Sequence, residues 1–281
     1  MKIRVGAVSL GWSGKPLPQV FDELRAMGGQ CVEINYRLER HHGLTPTSEN
    51  ISRIRAWAEA AGLQISAVSG YNDFVQTDFS ALSAEVEQLM AACRLASELG
   101  VSIVRAFAGE PRPGVTPETA WPMLVKGFQM AARQAEPLGI TLAIENHGRL
   151  LNDGPSLARL VQEVGTTSVR LTLDTGNFCH AGHTVAQAQA DFEAVLPYVV
   201  NVHLKDGVWQ GDRFQFVPAG EGELPLAAWI TRLAGRGYAG ALCSEYEGAG
   251  DFLEGTRRSV QYLSGLVAQI TRNSKSPEEK K

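Results

Sequence analysis

Four largely apolar runs in the second half of the chain end in groups that can carry charge or offer a lone pair. Residues 140–144 run into Glu145-Asn146-His147, 169–173 into Asp174, 199–202 into His203, and 241–244 into Glu245. Such a run, bounded in the first case by Gly139 and Gly148, reads as a parallel strand covered on both faces. A charge at the end of a buried strand costs free energy unless something there uses it. Side chains alternate along a strand. Glu145 therefore shares a face with Ala143 and His147, Asp174 with Thr172, His203 with Asn201 and Lys205, and Glu245 with Cys243 and Glu247. Ile144, Leu173, Val202 and Leu204 fall on the opposite faces, so the parity agrees in all four strands. Three carboxylates meeting in one pocket raise each other's pKa values, and a divalent cation removes that conflict. Oxygen ligands with one imidazole suit Mn2+ or Mg2+, with Co2+, Fe2+ and Zn2+ as alternatives. The blander arrangement, each group separately paired, leaves their place at consecutive strand ends unexplained. One divalent ion is the expected cofactor.

The rest of the sequence must supply elements that hold these ends together. Strand patterns at 3–8, 31–34, 64–69 and 102–107 precede the four already named. Helical patterns separate them. The first carries Leu17, Val20, Phe21, Leu24 and Met27, and further ones fall at 48–61 and 117–137. The stripe Leu82, Val86, Leu89, Cys93 and Ala96 repeats at the helical period. Others follow from Pro155, over 184–196, around Trp229 and Ile230, and through Val260, Leu263 and Val267. Eight strands alternating with eight helices predict one (β/α)8 barrel over residues 1–273, with a charged, disordered tail at 274–281. A doubly wound open sheet shares the alternation. It more often has fewer strands, and no Gly-rich phosphate loop follows the first strand here.

Composition narrows the function class. A length of 281 residues, 44% apolar and 20% charged, is that of an ordinary soluble enzyme. The formal net charge of −4 gives no attraction to nucleic acid or anionic membrane. No apolar run approaches the roughly 18 residues of a membrane span, and the N-terminus shows no signal-peptide core. Cys31, Cys93, Cys179 and Cys243 form no CxxC pair and read as reduced packing residues. The cytoplasm is the expected compartment.

Glu145-Asn146-His147, Leu173-Asp174-Thr175-Gly176-Asn177, His203-Leu204-Lys205-Asp206 and Ser244-Glu245-Tyr246 resemble the xylose-isomerase-like, or sugar phosphate isomerase/epimerase, superfamily. The resemblance covers essentially the whole chain and is strongest after residue 140. It implies one divalent metal held by Glu145, Asp174, His203 and Glu245. The superfamily includes ketose 3-epimerases, inosose isomerases and dehydratases, hydroxypyruvate isomerases and lyases of 3-keto sugars, with endonuclease IV as a relative. The implied chemistry is proton abstraction α to a carbonyl, the metal lowering the energy of an enediolate. Glu145 and Glu245 would act as base and acid on its two faces, as in the ketose epimerases. Isomerisation or epimerisation of an unphosphorylated sugar, keto-sugar or cyclitol is the first reading. β-Elimination on a 3-keto sugar (a 3-keto glycoside) or an inosose at the same site is the second.

His147 is a candidate proton donor or substrate ligand, or else a hydrogen-bonded residue behind the metal ligands. Lys205 is a candidate for holding an oxyanion, or else a salt bridge to Asp206 or Glu245. His147 and Lys205 join the two glutamates as catalytic candidates, and an elimination would use them. Glu33 and Arg105, at the ends of strands two and four, would bind sugar hydroxyls or pair with each other. Asn177, a further substrate-binding candidate, stands where ketose epimerases and endonuclease IV generally carry a histidine. That departure weighs against a ketose epimerase and against a nuclease, as does the absence of further histidines. His180 and His183 read as surface residues, and His41-His42 could face the barrel mouth. Residues 207–223 form a loop long enough for a lid or a subunit contact. Tyr36, Tyr71 and Trp12 are candidate apolar walls. No Gly-rich turn opens a helix after strands seven or eight, hence the expectation of an unphosphorylated substrate. The expected partners are a small carbohydrate and further copies of the chain, as a dimer or tetramer. A non-catalytic sugar-binding protein also fits, since a fold does not fix a function.

Overall fold

The computed structural model describes residues 3–41 and 44–273. Its first half runs β1 (Arg4–Val8), α1 (Leu17–Ala26), β2 (Cys31–Asn35), α2 (Ser48–Ala60), β3 (Gln64–Ser69), α3 (Phe79–Leu99), β4 (Ile103–Ala106) and α4 (Pro117–Ala135). The second half continues with β5 (Thr141–Glu145), α5 (Gly154–Val164), β6 (Val169–Asp174), α6 (Asn177–His180), α7 (Val185–Val195) and β7 (Val199–Leu204). It closes with β8 (Asp206–Gln210), β9 (Arg213–Val217), α8 (Leu226–Gly235), β10 (Ala241–Ser244) and α9 (Phe252–Asn273). Strands β1, β10, β7, β6, β5, β4, β3 and β2 pair in that order and close on themselves. The pairs are parallel throughout. The predicted (β/α)8 barrel is the observed fold.

The strands are buried on both faces because helices cover the outside and packed side chains fill the inside. Ile34, Leu142, Ile144, Leu171, Leu173, Val202 and Leu242 belong to one continuous core with the helix stripes. Each large aliphatic chain so buried contributes roughly 1.5–3 kcal/mol. Trp229 of α8 lies flat on Phe192 of α7, ring centroids 4.9 Å apart. Barrel closure imposes one glycine: a Cβ on Gly6 in β1 would stand 1.8 Å from the Cys31 carbonyl oxygen of β2. The helices start where the sequence signals them. Asp153 caps α5 by accepting from Ser156 N, with Pro155 in the first turn, and Asp78 caps α3 by accepting from Ala81 N.

Three features depart from the sequence reading. Residues 207–223 are not one irregular loop, because β8 and β9 pair as an antiparallel hairpin with Trp209 opposite Phe214. The hairpin is rooted in Asp206, whose carboxylate accepts from the backbone N–H groups of Gly207, Gly220, Gly222 and Leu224. α6 is a single helical turn placed directly after Asp174. Trp12 is buried, donates to Glu23 at 2.7 Å and meets Phe252 edge-on, so it seals α1 against α9 and forms no wall of the mouth. Residues 274–281 and His42 lie outside the described residues. Among those described, no helix is long and apolar enough to cross a membrane.

Candidate metal centre and active site

The ends of β5, β6 and β7 and the residue after β10 bring Glu145, Asp174, His203 and Glu245 together. One ligand atom from each lies within 4.8 Å of all the others. Register explains the convergence: Asp174 pairs with His203, and Cys243, two residues before Glu245, also pairs with His203. Asn146 ties the β5 and β6 ends, accepting from Asp174 N at 2.7 Å and donating to Asp174 O at 2.9 Å.

Each ligand is aimed by its neighbours. Asp174 Oδ1 accepts from the backbone of Gly176 and Asn177. Its Oδ2 is buried without a hydrogen bond, Lys205 Nζ lying 3.2 Å away in poor alignment. His203 Nε2 is 2.9 Å from Glu33 Oε2. A carboxylate only accepts, so Nε2 carries the proton. His203 Nδ1 is then turned toward Glu245 Oε2 at 3.4 Å and Glu145 Oε1 at 3.6 Å, buried and without a hydrogen bond. Two buried lone-pair atoms without a hydrogen bond, a carboxylate oxygen and a ring nitrogen, thus point into the same cluster.

Lys205 Nζ sits 3.0 Å from Glu245 Oε2 and 3.1 Å from Glu247 Oε2, and its expected neighbour Asp206 instead anchors the hairpin. Arg105 Nε lies 3.3 Å from Glu145 Oε2, and its guanidinium covers the Phe107 ring at 3.9 Å. Glu33 does not pair with Arg105. It is fully buried, accepting from Ser69 and Asn201 as well as His203. Both its oxygens are engaged by the protein, which places it behind His203. Asn177 donates to Glu145 Oε1 at 3.2 Å and accepts from Lys205 Nζ at 3.4 Å, bridging the base side and the cation. A Cβ on Gly176 would stand 2.7 Å from Lys205 Cβ and 2.8 Å from the Phe216 ring, which explains the glycine beside Asn177.

His147 stands apart from the carboxylates, half-buried, with its ring 4.4 Å from Phe107. It closes an arc of rings over consecutive strand ends: Tyr36 meets Tyr71 at 6.2 Å, and Tyr71 meets Phe107 at 5.8 Å. His180 is exposed against Phe216 at 5.1 Å. His183 is bound to Asp191 at 2.6 Å, and buried His41 lies 3.0 Å from the Lys15 carbonyl oxygen. Glu247 was legible only as a face-mate of Glu245, and Asn146 only as part of the Glu-Asn-His triplet.

The electrostatics describe a site short of positive charge. Three buried carboxylates, Glu33, Glu145 and Asp174, and the partly buried Glu245 face two permanent cations, Arg105 and Lys205. Burial opposes ionisation of Glu245, yet Lys205 and His203 hold its carboxyl well below the ordinary range. Glu145 is likewise lowered, burial being outweighed by His203 and Arg105. Asp174 takes the opposite course: burial, with Glu145 and Glu245 adding to it, pushes its pKa up to about 7. Burial also disfavours a charged His203, but Glu33, Glu245 and Glu145 raise it well above the usual histidine range. Two protons, on Asp174 and His203, thus fill the place of a missing double positive charge. A divalent cation with neutral His203 and ionised Asp174 brings the same set to zero. The donor set, the orphaned atoms and the charge balance all fit such an ion.

Comparison with known proteins agrees with this architecture. The profile described as xylose isomerase-like TIM barrel matches residues 21–266. A 2-epi-5-epi-valiolone 7-phosphate 2-epimerase from Actinoplanes sp. is 30% identical over 202 residues, 70% of each chain. A solved L-ribulose 3-epimerase superposes with a TM-score of 0.77 at 21% identity, covering 98% of this chain and 97% of that one. A xylose isomerase-like TIM barrel protein from Mycobacterium smegmatis, in complex with magnesium, superposes with a TM-score of 0.77 at 16% identity, covering 95% and 97%.

Proposed function

The chain belongs to the xylose isomerase-like TIM barrel family, and on that premise we propose that it is a divalent-metal-dependent isomerase or epimerase of a sugar, keto-sugar or cyclitol. The observation that carries the reading is the convergence of three carboxylates and His203 Nδ1 within 4.8 Å at the C-terminal mouth of the barrel. Glu145, Asp174, His203 and Glu245 would hold Mg2+ or Mn2+, Mg2+ being the ion in the Mycobacterium smegmatis neighbour. When bound, the ion supplies Lewis-acid stabilisation of the negative charge that develops on a carbonyl oxygen when the adjacent carbon loses a proton.

The chain's own residues supply the proton handling. Glu145 and Glu245 are kept ionised by Arg105 and Lys205, so each can accept a proton at a carboxylate oxygen. They approach from different strands, which suits removal from one face of a carbon and return to the other. Asn177 and Arg105 hold the Glu145 carboxylate in place. Lys205 Nζ, 3.0 Å from Glu245, holds the charge on that side and can donate to a substrate oxygen. The ring arc of Tyr36, Tyr71, Phe107 and His147 gives the apolar face of a sugar or cyclitol a wall, and His147 presents it with a hydrogen-bonding edge. The Actinoplanes sp. epimerase and the L-ribulose epimerase, by their names, both invert a carbon centre, which supports the same reaction class here.

The test is a proton NMR time course in D2O with Mg2+-loaded protein and pooled ketoses, inososes and 3-keto glycosides. One deuterium gained on carbon, in a product of unchanged composition, is the expected result. No exchange into any pool member or its phosphorylated counterpart, with either Mg2+ or Mn2+, would overturn the proposal. β-Elimination is the second reading, favoured by Lys205 beside Glu245, and a new enone with released water or aglycone would identify it.

A further inference from the structure

Outside the metal cluster, a groove of about 610 Å3 runs between the β8–β9 hairpin and the segments that follow β5, β6 and β10. Arg149 and Arg213 line it from opposite sides of the sequence, with His180 between the segments that carry them. Both arginines are exposed, and among the described residues neither guanidinium has a carboxylate partner. Two acids also line the groove, Asp212 at the hairpin turn and Glu247. Glu247 is already engaged by Lys205 at 3.1 Å, which leaves two guanidinium groups against one free carboxylate.

The groove adjoins the candidate reaction site. Glu247 borders both, and Phe216 separates them by the thickness of one ring, 5.4 Å from Lys205 Nζ on one side and 5.1 Å from His180 on the other. A substrate long enough to pass the Phe216 ring would bring its far end from Lys205 to the groove. Unpaired guanidinium groups are preorganised for bidentate contact with an oxyanion and lose less hydration than a lysine would. The chain's net charge of −4 opposes a macromolecular polyanion.

We propose that this groove is an anion subsite, in which Arg149 and Arg213 bind the phosphate group of a phosphorylated sugar or cyclitol substrate, with His180 beside it. The proposal rests on the sugar isomerase or epimerase reading and narrows its substrate class. It differs from the sequence-based expectation of an unphosphorylated substrate, which rested on the absence of a Gly-rich helix start and not on side chains from two distant loops.

The test is titration of the full-length chain with inorganic phosphate, followed by calorimetry and by phosphorus NMR. Chelator-treated protein separates the groove from phosphate held on the metal, and the titration is then repeated after reloading with Mg2+. Saturable binding that the Arg149→Ala/Arg213→Ala double variant weakens about tenfold or more is expected. Arg149→Lys/Arg213→Lys, which keeps the charge but loses the fork, should fall between the two. Equal phosphate affinity in wild type and the alanine variant, or no saturable binding to either metal state, would overturn the subsite. Deuterium exchange into neutral and phosphorylated sugars by the wild type tests the parent reading separately. Exchange without phosphate binding removes only the subsite. Arginine-dependent phosphate binding with no exchange into neutral or phosphorylated sugars removes only the parent reading.

Discussion

His203 Nε2 and Glu33 Oε2 meet at 2.9 Å across the interior of the barrel, joining β7 to β2, two strands that are not neighbours in the sheet. The contact fixes which ring nitrogen faces the carboxylates, and Ser69 and Asn201 fix Glu33 in turn. Outer carboxylates of this kind orient a ligand histidine and raise its basicity. Glu33→Gln should therefore lower Mg2+ or Mn2+ affinity by about 10–100-fold while the fold persists. Competition with a chelating dye measures it, and an unchanged affinity would show that His203 needs no such support.

Proton release on metal binding follows from the charge balance. Without metal, Asp174 titrates near about 7 and His203 well above its usual range. Below pH 7 each bound ion should displace about two protons, and above it about one, so apparent affinity climbs steeply with pH and then less so. Both groups have folded-state pKa values above their unfolded ones. The stability they give the metal-free protein is present in acid and is lost as pH rises, for Asp174 through about 7. Calorimetric metal titrations in buffers of different ionisation enthalpy count the protons. A pH-independent affinity would rule out Asp174 and His203 as ligands.

Glu145→Gln and Glu245→Gln should each reduce net turnover by about 10²–10⁴-fold. The remaining carboxylate should still exchange solvent deuterium at the reacting carbon from its own face, without inverting it. Deuterium uptake measured separately from product formation reads the difference. Wild-type turnover in either variant would remove that residue from the proton path.

Two glycines separate backbone packing from conformational entropy. Gly6→Ala places a methyl 1.8 Å from the Cys31 carbonyl oxygen and cannot be relieved by a side-chain rotation. A loss of about 3 kcal/mol or more is expected. Gly265 lies in α9 with nothing within 4 Å of an added Cβ, so Gly265→Ala should stabilise by about 0.5–1 kcal/mol. Thermal unfolding of the two variants provides the check, and the same sign for both would contradict the structural account.

The barrel was legible because its strands and helices carry strong, local periodicities. Gln64–Ser69 is the predicted strand to the residue, and the strand-end acids and His203 fall together because parity alone aims them inward. What the sequence concealed depends on contacts between distant segments. Glu33 is 170 residues from His203, and nothing local at Cys31–Asn35 announces that partner. Asp206 was read as a possible mate of Lys205, whereas four backbone N–H groups claim it. The hairpin had a local signal that went unused: Gly211-Asp212 sits between alternating aromatic and polar residues, with Gly211 at φ 64.

The proposed metal ligands come from β5, β6, β7 and the end of β10, whereas the ring arc is built mainly from the ends of β2, β3 and β4. On the proposed function, the acid–base cluster and this apolar wall are thus encoded in different halves of the gene. Recombination in the turn between α4 and β5 would exchange one without rewriting the other, provided the incoming half brought equivalents of Glu33 and Arg105, the two side chains that fasten the halves together. Such a chain could exchange its ring wall by swapping the front half while the strand-end cluster is inherited intact.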